Sequence, residues 1–284
     1  MSERRLIINA DDYGLCREVN DAIEELNEAS MLGGVSVLAN GGCLSQAIRY
    51  LSRDPQLSAG AHLNAVEGTP VSASSEVEII IDRNGAFLGL PGLLRRWIQH
   101  PSATARAVET EWRAQIERLI ASGIKLHHAD SHQHLHAFPP AFGCAVTLCR
   151  EYGITALRIP NERVQDYRRF VGTLALCSSS ALSHLVTSTW GLQCNDHFLG
   201  FRRAGHYTAA TLLAEIASLP AGLTELAVHP STRDGLPYAE YESGRERAAL
   251  LDTSFRNGLR ELEVNLVSWA DTGKRSRRHS WNRL

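Results

Sequence analysis

Residues 5–14 read RLIINADDYG. Arg5–Ala10 is an apolar run of strand length, and it stops at two adjacent carboxylates, Asp11 and Asp12. Like charges side by side at the end of a buried strand repel each other and lose hydration. One or both therefore require a cation. The competing reading makes the pair an N-cap for the helix that follows at Cys16–Ala29. A cap accounts for one aspartate and leaves the other unexplained.

Moving outward, the same rhythm repeats. The helix at Cys16–Ala29 carries Val19, Ile23 and Leu26 at helical spacing. Gly33-Gly34 breaks the chain before a strand at Val35–Leu38, a helix at Leu44–Leu51 and a strand at Leu57–Leu63. A long helix, Ser102–Ser122, ends at Gly123. Next come a strand at Leu126–Asp130, a helix at Pro140–Tyr152 and a strand at Ala156–Ile159. Helices at Tyr167–Val186, Thr208–Ser218 and Glu240–Gly258 alternate with strands at Thr224–His229 and Val264–Trp269. Strands alternating with helices of this length pair in parallel through right-handed crossovers. No glycine-rich phosphate fingerprint follows any strand, so the units suit a barrel better than a nucleotide fold. The expected fold is α/β, an irregular (β/α) barrel.

The expected organisation is one barrel domain over 1–273, with loop insertions near 65–100 and 161–206 and a basic tail at 274–284. The first insertion carries an Asn-Gly turn signal at Asn84-Gly85. The 284 residues hold 29 lysines and arginines against 31 aspartates and glutamates. That near-neutral balance argues against a general nucleic-acid binder. No apolar run approaches the roughly 20 residues that span a bilayer. After Arg4-Arg5 only Leu6–Ala10 is apolar, short of the roughly 7–15 residues of a secretory h-region, so a cytoplasmic protein is expected. The six cysteines are scattered, as for free thiols in a reducing compartment. Helices bearing Trp, Leu and Ala would support a homodimer, though nothing in the sequence specifies one.

In an α/β barrel the chemistry sits where strands end. Capable residues do fall there: Asn9–Gly14, Ala61–Asn64, Asp130–His136, Arg158–Pro160 and His229-Pro230. The stretch 127–136, HHADSHQHLH, holds five of the 12 histidines. In an extended chain His132, His134 and His136 would face one side. Neutral imidazoles are common metal ligands. A carboxylate and two histidines from separate strand ends make an open metal site with room for water and substrate. His62 supplies a ligand candidate from another strand. The second aspartate could then take a proton from water, and His229 could protonate a leaving group. Arg158 is a fixed positive charge suited to pairing with that basic aspartate.

These segments together resemble the YdjC-like (ChbG-type) carbohydrate deacetylase family, related to the wider polysaccharide-deacetylase superfamily. The matching pieces are NADDYG (9–14), AHLN (61–64), DSHQHLH (130–136) with Pro139 after it, LRIP (157–160) and VHP (228–230). The resemblance implies an irregular barrel of about seven parallel strands, the NodB/YdjC-like deacetylase fold. It implies metal-dependent removal of an N-acetyl group from an amino sugar. By motif, Asp12, His62 and His132 would hold a divalent ion, with zinc favoured over magnesium by the nitrogen ligands. Asp11 would be the base, His229 the acid and Arg158 the residue that tunes Asp11. Asn64, His134 and His136 would support the ligands or touch substrate. Ser231-Thr232 departs from the small residues expected after the His-Pro pair. The substrate could be a chito-oligosaccharide, or a lipid-, nucleotide- or natural-product-linked N-acetyl sugar.

Three other readings compete. Cyclic-amidohydrolase barrels carry an HxH pair after the first strand, where this chain has Asp-Asp. A non-catalytic sugar- or metal-binding homologue would often have lost the base or the acid, and Asp11, Arg158 and His229 are all present. An interaction role through the basic tail predicts that deleting 274–284 abolishes function.

Overall fold

A computed structural model describes residues 3–162, 185–186 and 189–272. The expected helix at Tyr167–Val186 lies almost entirely outside the described residues, and the basic tail lies outside them altogether. The first strand, β1 (Arg4–Tyr13), sits at the centre of the fold. Its residues Leu6–Tyr13 are all buried. A strand buried on both faces has no polar alternation, which is why its core reads as an apolar run. Further strands are β2 (Gly34–Val37), β3 (Ala59–Leu63), β4 (Leu126–Ser131) and β5 (Ala156–Leu157). After these come β6 (His197–Leu199), β7 (Gly222–Val228) and β8 (Val264–Leu266). All the pairings are parallel, and the order is β5-β4-β3-β2-β1-β7-β6. β8 joins the lower half of β1, beside Arg4–Leu6, leaving the upper half to β2.

The two ends of this path meet. A parallel bridge links Ala156 to Gln193. The Asn195 amide accepts from the Ile159 backbone N–H at 2.8 Å and donates to the Ile159 carbonyl at 2.7 Å. A side chain thus takes the place of ladder bonds at the seam. The irregular (β/α) barrel expected from the sequence is the observed architecture. Among the described residues, eight α-helices with full bounds flank it: α1 (Arg17–Glu28), α2 (Leu44–Arg53), α3 (Gly89–Gln99), α4 (Pro101–Ala121), α5 (Pro139–Glu151), α6 (Ala209–Ala217), α7 (Ser243–Leu251) and α8 (Thr253–Glu261). None of the described helices is long and apolar enough to cross a membrane.

Local chemistry explains several boundaries. α4 starts on Pro101, whose missing N–H costs nothing in the first turn. Its buried stripe of Val108, Trp112, Ile116 and Leu119 covers the sheet. The expected single helix at Glu240–Gly258 is two helices. Asp252 interrupts it and caps α8, accepting from the Ser254 backbone N–H at 2.7 Å. The insertion at 65–100 contains the whole of α3, and its hairpin closes at Ile81 and Phe87 around the Asn-Gly turn. β6, at three residues, is too short to carry a periodicity in the sequence.

The barrel interior is layered. At the bottom Ile7, Leu223, Ala156 and Trp269 form a small apolar cluster. Trp269 stacks on His128 at 5.1 Å between ring centres. Glycines make that stack possible. A Cβ on Gly60 would lie 2.4 Å from the His128 ring, and one on Gly34 would lie 2.9 Å from Trp269. Above this floor the inward residues turn polar.

Candidate metal centre

The polar side chains of the upper barrel come from inward positions of several strands, so they converge near the mouth where the strands end. Asp11 and Asp12 are the exception, because they are consecutive. Strand alternation would send them to opposite faces. Instead the β1–β2 register shifts between Ala10 and Tyr13, and Asp12 adopts φ +64°. This bulge brings both carboxylates to the mouth. Neither caps α1, whose N-cap is Cys16 with no side-chain bond. The capping alternative is therefore excluded.

Arg158, fully buried just after β5, organises the layer below the mouth. It donates to both Asp11 oxygens at 2.7 Å, pairs with Asp130 Oδ2 at 2.7 Å, and donates through Nε to Glu225 Oε1 at 2.8 Å. Asn9 adds a bond to Asp11 Oδ1 at 2.8 Å. Ser36 donates to Asp130 Oδ2 at 2.6 Å. One guanidinium faces three carboxyl groups. Burial pushes the Glu225 carboxyl up to about 7, against the pull of Arg158. Burial likewise opposes ionisation of Asp130, but Arg158 and His62 outweigh it and hold that carboxyl well below the usual range.

Three candidate ligands meet above this layer. His62 Nε2 lies 3.3 Å from Asp12 Oδ1, and His132 Nδ1 lies 2.9 Å from the same oxygen. Ligand atoms of Asp12, His62 and His132 all fall within 4.8 Å of one another. Asp12 Oδ2 is buried and has no hydrogen-bond partner among the described residues. A buried carboxylate with Oδ1 between two imidazoles and Oδ2 left without a partner fits a cation. Burial opposes charge on both imidazoles. Even so, Asp130 and Asp12 push His62 up to about 10, and Asp12 and Glu67 push His132 up to about 9. The surrounding carboxylates thus favour positive charge at this point. Asp11, His62 and Asp130 form an overlapping acidic group, but Arg158 already saturates both of its carboxylates.

The three histidines of HQHLH do not share a side. Residues 132–137 form a tight turn in which Gln133 and His134 both adopt φ +53°. The extended-chain expectation is corrected here, because the left-handed pair sends the rings three ways. His132 turns to Asp12. His134 lies edge-on to Phe198, with ring centres 5.3 Å apart. His136 is bonded to Ser131 Oγ at 2.6 Å and donates to the Arg158 carbonyl at 2.9 Å, which supports the backbone that carries Arg158. Asn64 is likewise a loop support. It accepts from the backbone N–H groups of Val66 and Glu67. Its own backbone is held by Gln115 of α4.

His229 follows β7, with Nε2 3.9 Å from Asp11 Oδ2. Burial holds its imidazole below the usual range. Tyr241 meets it edge-on at 5.6 Å. Several neighbours escaped sequence reasoning. Glu225 was visible in principle, as a charged residue inside the apolar run LTELAV (223–228). Asp130 stands at the head of the DSHQHLH motif, where its sequence position alone assigns it no role. Glu67 and Tyr238 sit on loops with no periodic signal, and only the tertiary structure reveals them.

Residues 5–261 match the family model for YdjC-like protein. A carbohydrate deacetylase of Brevibacillus brevis is 28% identical over 275 residues, covering 95% of this chain and all of that one. A carbohydrate deacetylase of Mus musculus is 30% identical over 244 residues, covering 80% of this chain and 77% of that one. In fold, the chain resembles an Enterococcus faecalis V583 crystal structure, provisionally described as a cellobiose-phosphate cleavage protein. Its TM-score is 0.74 at 21% identity, with 94% and 98% of the two chains covered. With the family match running from β1 into the last helix, the chain belongs to the YdjC-like protein family.

Proposed function

We propose that this protein is a metal-dependent carbohydrate deacetylase that hydrolyses the N-acetyl group of an amino sugar. The observation that carries the reading is the convergence of Asp12, His62 and His132 next to the Asp11–Arg158 pair and His229. The names of its relatives favour a carbohydrate substrate. A divalent ion held by Asp12, His62 and His132 would supply Lewis acidity to the amide carbonyl and to the attacking water. Nitrogen donors favour zinc over magnesium.

The chain's own residues do the rest. Arg158 grips Asp11 through both oxygens and fixes its orientation. Asp11 Oδ2 faces His229 and is the oxygen that takes the proton of the attacking water. Water adds to the amide carbon, the C–N bond breaks, and acetate and a free amine leave. His229 delivers the proton to the departing nitrogen. Burial disfavours the charged form of its ring, and Asp11 Oδ2, which takes the water's proton, lies 3.9 Å from His229 Nε2 and can pass that proton on. His134, against Phe198 and Phe201, forms an apolar wall suited to the acetyl methyl. The substrate class spans chito-oligosaccharides and lipid-, nucleotide- or natural-product-linked N-acetyl sugars.

The test incubates metal-loaded protein with a panel of such sugars and measures released acetate with and without chelator. Chelator-sensitive acetate is the expected result. Absence of acetate from every sugar, with metal bound, would favour a binding protein.

A further inference from the structure

We propose that Glu67 and Tyr238 are positioning residues that seat His132 for the metal from outside the barrel, so that the mouth loops control one metal ligand. The inference rests on the metal-dependent reading above. A ligand imidazole has two nitrogens, and the one off the metal is normally held by a carboxylate or carbonyl, which fixes tautomer and ring direction. His62 follows this rule inside the barrel. Its Nδ1 lies 2.7 Å from Asp130 Oδ1, so Nε2 is the nitrogen turned towards Asp12 and offered to an ion. For His132 the geometry is reversed. Nδ1 faces Asp12, while Nε2 lies 3.1 Å from Tyr238 Oη and 3.3 Å from Glu67 Oε2.

The acceptors determine the tautomer. Tyr238 Oη donates to Glu67 Oε1 at 2.9 Å and receives from Gln133 Nε2 at 2.8 Å. Its one hydrogen is thus committed, and the remaining contact is a donation from His132 Nε2–H. A proton kept on Nε2 leaves the Nδ1 lone pair free for an ion. Glu67 is a built acceptor although its side chain is 43% exposed. Its backbone N–H is bonded to Asn64 Oδ1 at 3.1 Å, its carbonyl accepts from Asn64 Nδ2 at 2.8 Å and Asn40 Nδ2 at 3.1 Å, and Gln133 grips its carboxylate. The clasp therefore joins three loops: those after β3, β4 and β7.

The same residues line the opening. A pocket of about 250 Å³ at the mouth is bounded by Gln133, His206, Tyr238 and Tyr241, among others. A molecule in that pocket meets two members of the clasp. Pocket occupancy and metal affinity are then linked, and the linkage is reciprocal.

The experiment strips the full-length protein of metal and titrates it with zinc against a chromophoric chelator. Glu67→Gln is expected to raise the apparent metal Kd by about 10–100-fold, the usual effect of losing such a partner. Tyr238→Phe should weaken binding less. Cobalt-loaded Glu67→Gln should show an altered visible absorption band, since the ring direction changes. A merely structural role would lower the melting temperature of the metal-free protein and leave affinity and spectrum alone. The inference is overturned if both variants titrate as wild type does while His132→Ala binds weakly. If Asp12→Ala and His132→Ala also titrate as wild type does, the metal reading itself fails, and the inference with it.

Discussion

The two candidate ligand histidines are held in opposite ways. His62 is gripped from below, by Asp130, inside a network where Arg158, Asp130 and Glu225 have no exposure. His132 is gripped from above, by Tyr238 and a Glu67 that is 43% exposed. Below, charges lie in a low-dielectric interior, where every carboxylate must be compensated at close range. Above, water shares the load, and the contacts can be remade at small cost. The contrast implies a rigid half that sets the chemistry and an adaptable half that adjusts it. Losses should therefore be severe and structural at the floor, modest and functional at the rim.

Arg158→Met tests the floor most severely. It leaves Asp11, Asp130 and Glu225 buried without their cation and should cost about 3–5 kcal/mol in denaturant unfolding. A stability close to wild type would mean that the network carries little strain and would collapse the contrast. Asp11→Asn comes next. It should retain metal and lose turnover by about 10²–10⁴-fold, the usual contribution of an acid–base group. Normal acetate release in that variant would remove Asp11 from the base role.

The pH dependence of metal binding should differ less dramatically but with a definite sign. His62 and His132 are pushed up, to about 10 and about 9, by the carboxylates around them. Those protons must leave before an ion binds. Zinc affinity should therefore rise as pH climbs from about 7 towards 9. A flat titration would argue against histidine ligation. Stability of the metal-free protein runs the other way. Both folded values lie above the unfolded one, so the contribution is complete below about pH 6.5 and is lost as pH rises through about 9 to 10. The smallest effect on stability is expected at the rim. Gln133→Ala should change unfolding free energy by no more than about 0.5 kcal/mol, with its consequence confined to metal and substrate affinity, since it removes the bonds to Glu67 and Tyr238.

Much of the candidate site was legible because it sits at strand ends, where a break in apolar periodicity marks a position in space. Asp11, Asp12, His62, Arg158 and His229 could be named that way. The geometry among them could not. Nothing local indicates that Asp12 turns left-handed, or that Gln133 and His134 do the same and scatter three histidines. Glu67 and Tyr238 are 171 positions apart, and no pattern links them before folding. The break at Asp252 was hidden for another reason: an aspartate is tolerated within a helix, and only its bond to Ser254 shows that it starts a new one.

The sequence alone determined a parallel β/α architecture, since alternating buried runs and amphipathic segments admit few other arrangements. It also located the candidate site at one end of the barrel, because Asp11, Asp12, His62, Arg158 and His229 all fall where the strand cores end. The tertiary structure decided which atoms face each other. It closed the seam between β5 and β6 with Asn195, loaded three carboxyl groups onto one guanidinium, and assigned a different nitrogen of each histidine to Asp12. Those choices depend on contacts between residues far apart in the chain. Long-range packing can hold a backbone in conformations that local preference disfavours, so they emerge only when the barrel is complete.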